Sequence, residues 1–367
     1  MKHLKIIISG GGTGGHIFPA LAIAGELKSR FPDAEILFVG ASGRMEMEKV
    51  PAAGFPIIGL PVIGMPRKPG LNTIRFLIRL MQSMVRARRI VRQFTPDLAI
   101  GVGGYASGPL LRAAVARKVP ALIQEQNSYA GVTNKLLSKK VQRICVAYEG
   151  MERFFPSEKI ILTGNPVRKN LLTNTLSKEE ALSHFGIPAA ARVALITGGS
   201  LGARSINNAI LRNLDLVRDS DIHFIWQTGS IYYDEMVTQT ESNKPENLHI
   251  YKFLDRMELA YSAADLVISR AGAGTISELC LTGKPAILIP SPNVAEDHQT
   301  RNAMALTKQQ AAVMIRDKEI DEKLISETIA LVSDTQKLKE MAENIKKMAL
   351  PGATAQIVDE ALKLIGK

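Results

Sequence analysis

The sequence predicts an α/β protein built from two doubly wound halves, and three observations carry this. Short β-rich runs alternate with helical stretches along nearly all of the 367 residues. A glycine-rich turn follows the first strand of each half, over 10–15 and over 198–202. A break at Thr163-Gly164-Asn165-Pro166 divides the chain, whose length suits two domains better than one.

Each half repeats one scheme. In the first, strands are expected over 5–9, 36–39, 56–60, 98–102 and 121–123, with helices over 17–30 and 71–94. In the second, strands are expected over 193–197, 223–226, 266–269 and 286–289. Continuous apolar runs separated by helices imply a parallel sheet covered on both faces. Past the break, Ser177-Lys178-Glu179-Glu180 fits a capping box, and Gly186 and Pro188 end that helix. Pro351-Gly352 interrupts the helical C-terminal stretch. A closing helix over 353–365 could pack on either half.

Composition narrows the partners. The run Ile6-Ile7-Ile8 is too short for a signal peptide, and no stretch approaches the ~18–20 apolar residues of a membrane span. A soluble, cytoplasmic chain is expected. Cys145 and Cys280 sit in apolar segments and read as buried thiols. Residues 1–164 hold 23 Lys+Arg against 10 Asp+Glu, a net of +13, whereas residues 165–367 hold 23 against 25, a net of −2. No acid occurs from Lys49 to Pro96. An anionic partner for the first half alone follows from this asymmetry.

Four glycine clusters lie where strand ends meet helix starts. The first is Gly10-Gly11-Gly12-Thr13-Gly14-Gly15-His16. Glycines let backbone N–H groups approach an anion, and a helix N-terminus adds partial positive charge. A bare tight turn would not need so many glycines. Gly10, Gly12 and Gly15 also match a dinucleotide fingerprint, but that pattern requires an acid at the end of the second strand. Here the strand ends Phe38-Val39-Gly40-Ala41. His16, beside the loop, is a candidate general base, against the commoner structural role of a lone histidine. The other clusters are 101–109, 198–204 and 271–275. Ligands bind on this edge of open α/β sheets, and two such edges describe a cleft between halves.

Three further motifs have competing readings. Thr275-Ile276-Ser277-Glu278 fits a capping box better than a ribose site on spacing alone. Gln124-Glu125-Gln126-Asn127 suits sugar hydroxyls or an ordinary polar loop. Asp219-Ser220-Asp221 reads as a solvated turn, and no metal is expected. In the helix over 71–94, Arg75, Arg79, Arg86 and Arg89 share one ~80° arc. Ile74, Ile78, Met81 and Val85 lie beside it, with Phe76, Leu77, Leu80 and Met84 further round. An apolar strip flanked by arginines suits an interfacial membrane contact, although a sheet-covering helix with a basic outer face fits nearly as well. Nucleic acid is disfavoured, because no stacking aromatics interleave with the arginines.

Seven motifs together resemble one family: GGGTGGH (10–16), GVGGYASGP (101–109), QEQN (124–127), GNPVR (164–168), GGSLGAR (198–204), SRAGAGTISE (269–278) and EDHQTRNA (296–303). The chain resembles the MurG family, the bacterial N-acetylglucosaminyltransferases that make lipid II. The resemblance implies a GT-B fold, with two Rossmann-like domains facing a cleft. Residues 1–164 with helix 351–367 would form the acceptor and membrane domain, and 165–350 the donor domain. It implies inverting, metal-independent transfer without a cofactor, from UDP-N-acetylglucosamine to the C4 hydroxyl of the muramyl sugar of undecaprenyl-pyrophosphoryl-N-acetylmuramyl-pentapeptide (lipid I). The location implied is the cytoplasmic face of the cell membrane, peripherally and on anionic lipids, alongside other cell-wall and division proteins.

By the same resemblance, Gly11, Gly12, Gly15, Gly103, Gly104, Tyr105 and Ser107 would hold the acceptor's pyrophosphate. His16 would be the base, with Glu125 as a second catalytic candidate. Thr13, Gly14, Asn127, Arg168, Ser200, Leu254, Ala273, Gly274, Thr275, Glu278 and Gln299 would bind the donor, and Asn302 would join them. Glu278 would then take ribose hydroxyls rather than act only as a cap. Ile74, Arg75, Ile78, Arg79, Met81 and Val85 would meet the membrane. The rival readings are a related transferase acting on another lipid, a nicotinamide oxidoreductase, and a non-catalytic membrane-binding protein.

Overall fold

The computed structural model describes residues 3–12, 14–64, 70–167, 171, 176–294 and 297–367. The chain forms two compact units, residues 1–168 with 350–367, and residues 169–349.

In the first unit the strands are β1 (Lys5–Ser9), β2 (Glu35–Ala41), β3 (Ile57–Leu60), β4 (Leu98–Gly101), β5 (Ala121–Glu125), β6 (Arg143–Val146) and β7 (Ile160–Leu162). They form one parallel sheet of order β3-β2-β1-β4-β5-β6-β7. The helices are α1 (Gly14–Arg30), α2 (Glu46–Ala52), α3 (Leu71–Phe94), α4 (Ser107–Ala116) and α5 (Val132–Ser138). Side chains alternate across the sheet, as a period of two demands. Ile7 points to a core shared with Ile90 and Val91 of α3 and Leu110 of α4. Ile6 and Ile8 point to the opposite core, with Ile23 and Leu27 of α1.

The second unit has helices α6 (Lys178–His184), α7 (Arg204–Arg212), α8 (Leu214–Arg218), α9 (Tyr233–Thr240), α10 (Met257–Ala263), α11 (Ala273–Thr282), α12 (His298–Thr307), α13 (Ile320–Ser333) and α14 (Thr335–Lys347). Its strands are β8 (Arg192–Thr197), β9 (Ile222–Gln227), β10 (Leu248–Tyr251), β11 (Leu266–Ser269), β12 (Ala286–Leu288) and β13 (Ala312–Met314). Their order, β10-β9-β8-β11-β12-β13, repeats the first six strands of the other sheet. Val193 and Leu195 enter one core and Ala194 and Ile196 the other.

The closing helix, α15 (Ala353–Lys363), belongs to the first unit. Ile357, Val358 and Ala361 are fully buried in the core that contains Ile6 and Ile8. Outside the core, Arg30 of α1 pairs with Asp359. The capping box at Ser177 is present, with Glu180 N donating to Ser177 Oγ at 3.1 Å and Ser177 N donating to Glu180 Oε2 at 2.7 Å. Both cysteines are buried, and burial pushes each thiol up to about 12, which leaves them inert. Asp219 and Asp221 are exposed, in the short link between α8 and β9.

Strands β6, β7, β10 and β13 were not expected from the sequence. Strands β7, β10 and β13 are sheet edges, and all three are only partly buried. Their burial patterns lack the continuous apolar signal of interior strands such as β4 and β11.

On the outer strands of the second sheet, His223 Nδ1 lies 3.1 Å from His249 Nε2. Burial lowers the pKa of both rings, and His249 is lowered further by His223 and Lys244. The folded state therefore binds fewer protons than the unfolded chain just below the ordinary histidine pKa. The stability this pair contributes is complete above about pH 6.5 and is lost as pH falls below it. Thermal melts should show the H223Q/H249Q variant losing about 1–3 °C less than the parent between pH 7.5 and 5.5. Equal losses in the two proteins would refute this origin of the pH dependence.

Candidate active site

Both sheets reverse their strand order, at β1/β4 in the first unit and at β8/β11 in the second. The crevice at such a reversal is where open α/β sheets bind ligands. In the first unit, backbone meets backbone there. A Cβ on Gly104 (φ 85°) would lie 2.3 Å from the Gly11 carbonyl oxygen, and one on Gly103 (φ 95°) would lie 2.7 Å from His16 Cδ2. Only glycine fits at either position. Gly14, Gly15 and His16 form the first turn of α1, with the His16 ring half-buried. Tyr105 is 53 % exposed beside this loop.

Two further motifs join the same edge. Gln126 Nε2 donates to Val102 O at 3.0 Å, which ties the strand-end amides to the second glycine loop. Asn165 Nδ2 donates to Gln126 O at 3.0 Å, and Gln124 Nε2 donates to Asn165 Oδ1 at 2.8 Å. The motifs at 10–16, 101–109, 124–127 and 164–165 are therefore one connected structure.

Several of the expected site residues make hydrogen bonds within the first unit. The Glu125 carboxylate is 3 % exposed and accepts from Gly131 N at 3.0 Å, Asn127 N at 3.1 Å and Asn134 Nδ2 at 2.9 Å. Burial raises its pKa, against the lowering effect of these donors. Both oxygens are engaged in shaping the 126–131 loop. Ser107 is also buried, and its hydroxyl donates to Ser9 O at 3.0 Å or Gly103 O at 2.8 Å. The hydroxyl braces the loop, leaving the backbone to face a ligand. Gly12 N is directed at the Glu46 carboxylate, at 3.1 and 3.0 Å, so this amide does not face an anion bound above the loop. Sequence reasoning overlooked Glu46. It lies six residues beyond Gly40, and no local pattern marks it.

In the second unit, glycines again permit direct backbone contact. A Cβ on Gly202 (φ 87°) would lie 2.0 Å from Thr228 O, and one on Gly229 (φ 86°) would lie 2.1 Å from Gly202 N. Ser200, half-buried, accepts from Ser230 N through its carbonyl at 3.1 Å. Buried Gln227, also overlooked, links this loop to the next. Its Nε2 donates to Gly199 O at 3.1 Å, and its Oε1 accepts from Leu254 N at 2.9 Å. The turn Thr228-Gly229-Ser230 after β9 was the available signal. The Leu254 side chain is buried in the core, so a ligand there would meet its backbone and the exposed Phe253 ring.

Helix α11 begins at Ala273 with Gly272 as its N-cap and no side-chain cap. The capping box expected at Thr275 and Glu278 is therefore absent, because the helix starts two residues earlier and carries Glu278 inside it. Glu278 Oε2 instead accepts from the buried Tyr261 hydroxyl at 2.9 Å, an orientation with no sequence signal. Ala273, Gly274 and Thr275 make the first turn, whose backbone N–H groups suit an anion. Nearby, Gln299 Oε1 accepts from Ser291 N at 2.9 Å and Asn302 Nδ2 donates to Ala271 O at 3.3 Å. Thr13 and Arg168 lie outside the described residues.

Helix α3 buries Ala87, Ile90 and Val91 and leaves its outer face bare. Ile74, Leu77, Ile78, Met81 and Val85 are each 53–65 % exposed. Leu77 thus joins the strip rather than lying behind it. Arg75, Arg86 and Arg89 are exposed beside it, while Arg79 is half-buried. A groove of about 720 Å³ adjoins the strip, with Met81, Val85, Arg86 and Arg89 in its wall. No helix among the described residues is long and apolar enough to cross a membrane.

Comparison with known proteins gives two family matches along the chain. Residues 6–146 match the glycosyltransferase family 28 N-terminal domain, and residues 193–357 match the family 28 C-terminal domain. A UDP-N-acetylglucosamine–N-acetylmuramyl-(pentapeptide) pyrophosphoryl-undecaprenol N-acetylglucosamine transferase from Parabacteroides distasonis is 56 % identical over 367 residues, covering 100 % of both chains. The chain belongs to the MurG family of family 28 glycosyltransferases. A Bacteroides fragilis transferase of the same name is 55 % identical, covering 98 % of this chain and 96 % of its own. The crystal structure of Acinetobacter baumannii MurG superposes with a TM-score of 0.78 at 29 % identity, covering 99 % of this chain and 100 % of that one. A UDP-N-acetylglucosamine 2-epimerase shares the fold at 14 % identity and a TM-score of 0.66, covering 100 % of this chain and 97 % of its own. The GT-B fold therefore does not by itself select transfer over other sugar chemistry.

Taken as the donor-binding group that the resemblance implies, Glu278 is oriented by the Tyr261 hydroxyl. Tyr261→Phe should raise the KM for the UDP-sugar by about 3–10-fold with kcat little changed, as loss of one hydrogen bond to a charged group predicts. Steady-state kinetics with varied donor would test this, and an unchanged donor KM would contradict it.

Proposed function

We propose that the protein transfers N-acetylglucosamine from UDP-N-acetylglucosamine to the C4 hydroxyl of the muramyl sugar of undecaprenyl-pyrophosphoryl-N-acetylmuramyl-pentapeptide, with inversion, completing the disaccharide lipid precursor of peptidoglycan. One observation carries this reading: identity of 56 % along the whole chain with a transferase named for it. The glycine loops divide the work. The first unit takes the acceptor, its diphosphate lying against the amides at the start of α1 and on the Gly103–Ser107 turn. The second unit takes the donor. Its phosphates lie against the 198–203 loop and the first turn of α11, its ribose on Glu278, and its uracil at Leu254 and Phe253. Ala273, Gly274, Thr275, Gln299 and Asn302 line the sugar pocket.

Transfer is a single displacement at the anomeric carbon. The acceptor hydroxyl gives its proton to His16, directly or through a water, as it attacks. Charge developing on the leaving UDP meets preorganised backbone N–H groups of the second unit, supplemented by Arg168. Asn127, held by Glu125, contacts the donor sugar. His16→Ala should lower kcat by about 10²–10⁴-fold while the donor KM moves little. A near-normal kcat would remove His16 as base. Radiolabelled UDP-N-acetylglucosamine with lipid I or with diacylglycerol tests the acceptor, and turnover with diacylglycerol alone would overturn the assignment.

The enzyme works at the cytoplasmic face of the cell membrane as a peripheral protein. The exposed strip on α3, its flanking arginines and the net +13 of residues 1–164 support this. Replacing Ile78 and Met81 with Ser should weaken binding to anionic vesicles by about tenfold, since each loses a largely apolar contact. Co-sedimentation with phosphatidylglycerol vesicles measures it, and unchanged binding would place the contact elsewhere.

A further inference from the structure

Glu46 is a charged side chain that the proposed chemistry does not use. It stands in the first turn of α2 and is fully buried. Its Oε1 accepts from Ala41 N at 2.8 Å and from Gly12 N at 3.1 Å, and its Oε2 accepts from Gly12 N at 3.0 Å. A carboxylate taken out of water is retained only where such donors replace its hydration. The glycines around it are shaped to its presence. A Cβ on Gly11 would lie 2.1 Å from Glu46 Oε1, and its three nearest atoms would all belong to Glu46. A Cβ on Gly40 would lie 2.6 Å from Glu46 Cγ. The carboxylate cannot swing aside, because it is buried and bonded to two backbone amides.

This arrangement fixes the first glycine loop from below. Gly12 has φ 92° and open space around it, so its backbone is held by its bonds rather than by packing. Its amide donates to the Glu46 carboxylate. Gly11, the residue before it, is the one that Gly104 touches from the second glycine loop. We propose that Glu46 is a positioning residue that clamps the first glycine loop, turning the Gly12 amide inward and presenting the first turn of α1 to the acceptor's diphosphate. The proposal rests on the assignment of the first unit to the acceptor.

The test uses the full chain with radiolabelled UDP-N-acetylglucosamine and a short-chain prenyl diphosphate muramyl-pentapeptide, each varied in turn. Glu46→Ala should raise the acceptor KM by about tenfold or more, the loss expected for hydrogen bonds to a charged group, with the donor KM within about twofold. Glu46→Gln keeps one acceptor oxygen for both amides but sets its NH2 against the Gly12 N–H, and should fall between the parent and Glu46→Ala. Gly11→Ala should be impaired in the parent and in Glu46→Gln, where the collision persists, and relieved in Glu46→Ala. Should Glu46→Ala fail to fold, Glu46→Asp, one methylene shorter, carries the same comparison. Parallel increases in both KM values for Glu46→Ala, or equal impairment by Gly11→Ala with and without Glu46, would overturn the clamp. If Gly11→Ala raises only the donor KM and loss of Glu46 relieves it, the clamp stands and the acceptor assignment falls.

Discussion

Direct contact of backbone with backbone is the constraint on which the rest of this structure depends. It occurs where Gly104 meets Gly11 and where Gly229 meets Gly202. A Cβ on Gly104, Gly202 or Gly229 would collide with the backbone of the neighbouring loop. Removing it lets peptide N–H groups from different loops converge on one volume, which is how a protein holds a multiply charged anion without a cluster of cations. The parallel sheets exist to deliver these loops. Their interior strands are almost wholly apolar, so nothing competes with the strand ends for polar chemistry.

Carboxylates show how burial and partners decide a role. Glu46, Glu125 and Glu278 all border the loops. Glu46 and Glu125 are surrounded by backbone and amide N–H donors and organise the peptide around them. Glu278 accepts a phenolic hydrogen bond and remains half-exposed. The chemistry of the side chain is the same in each case.

Much of the fold was legible because interior parallel strands are continuous apolar runs. Strands β1, β4, β8 and β11 could be read directly from Ile6-Ile7-Ile8 and its counterparts. Edge strands β7, β10 and β13 could not, because half-buried three- or four-residue segments carry no distinct period. The glycine loops were legible as tight strand-to-helix turns because glycine has few other reasons to cluster after a strand. The braces beneath them were not. Gln227 and Tyr261 act across 27 and 17 residues of sequence, onto Leu254 and Glu278, and no local pattern marks such a pairing. The cap expected at Glu278 failed because a helix can start on a glycine that offers no side chain.

The return of α15 to the first unit has a consequence for biosynthesis. Ile357, Val358 and Ala361 complete a core whose other members are made at the beginning of the chain. On a ribosome adding about 5–20 residues per second, the first unit waits roughly 10–40 s for this helix while the second unit is made. During that interval the faces of α1, β5 and β6 that α15 covers lie open to water and to other nascent chains. The sheet that emerges first is therefore the last to be sealed, and a ribosome that stalls within the second unit would release a first unit with an open core.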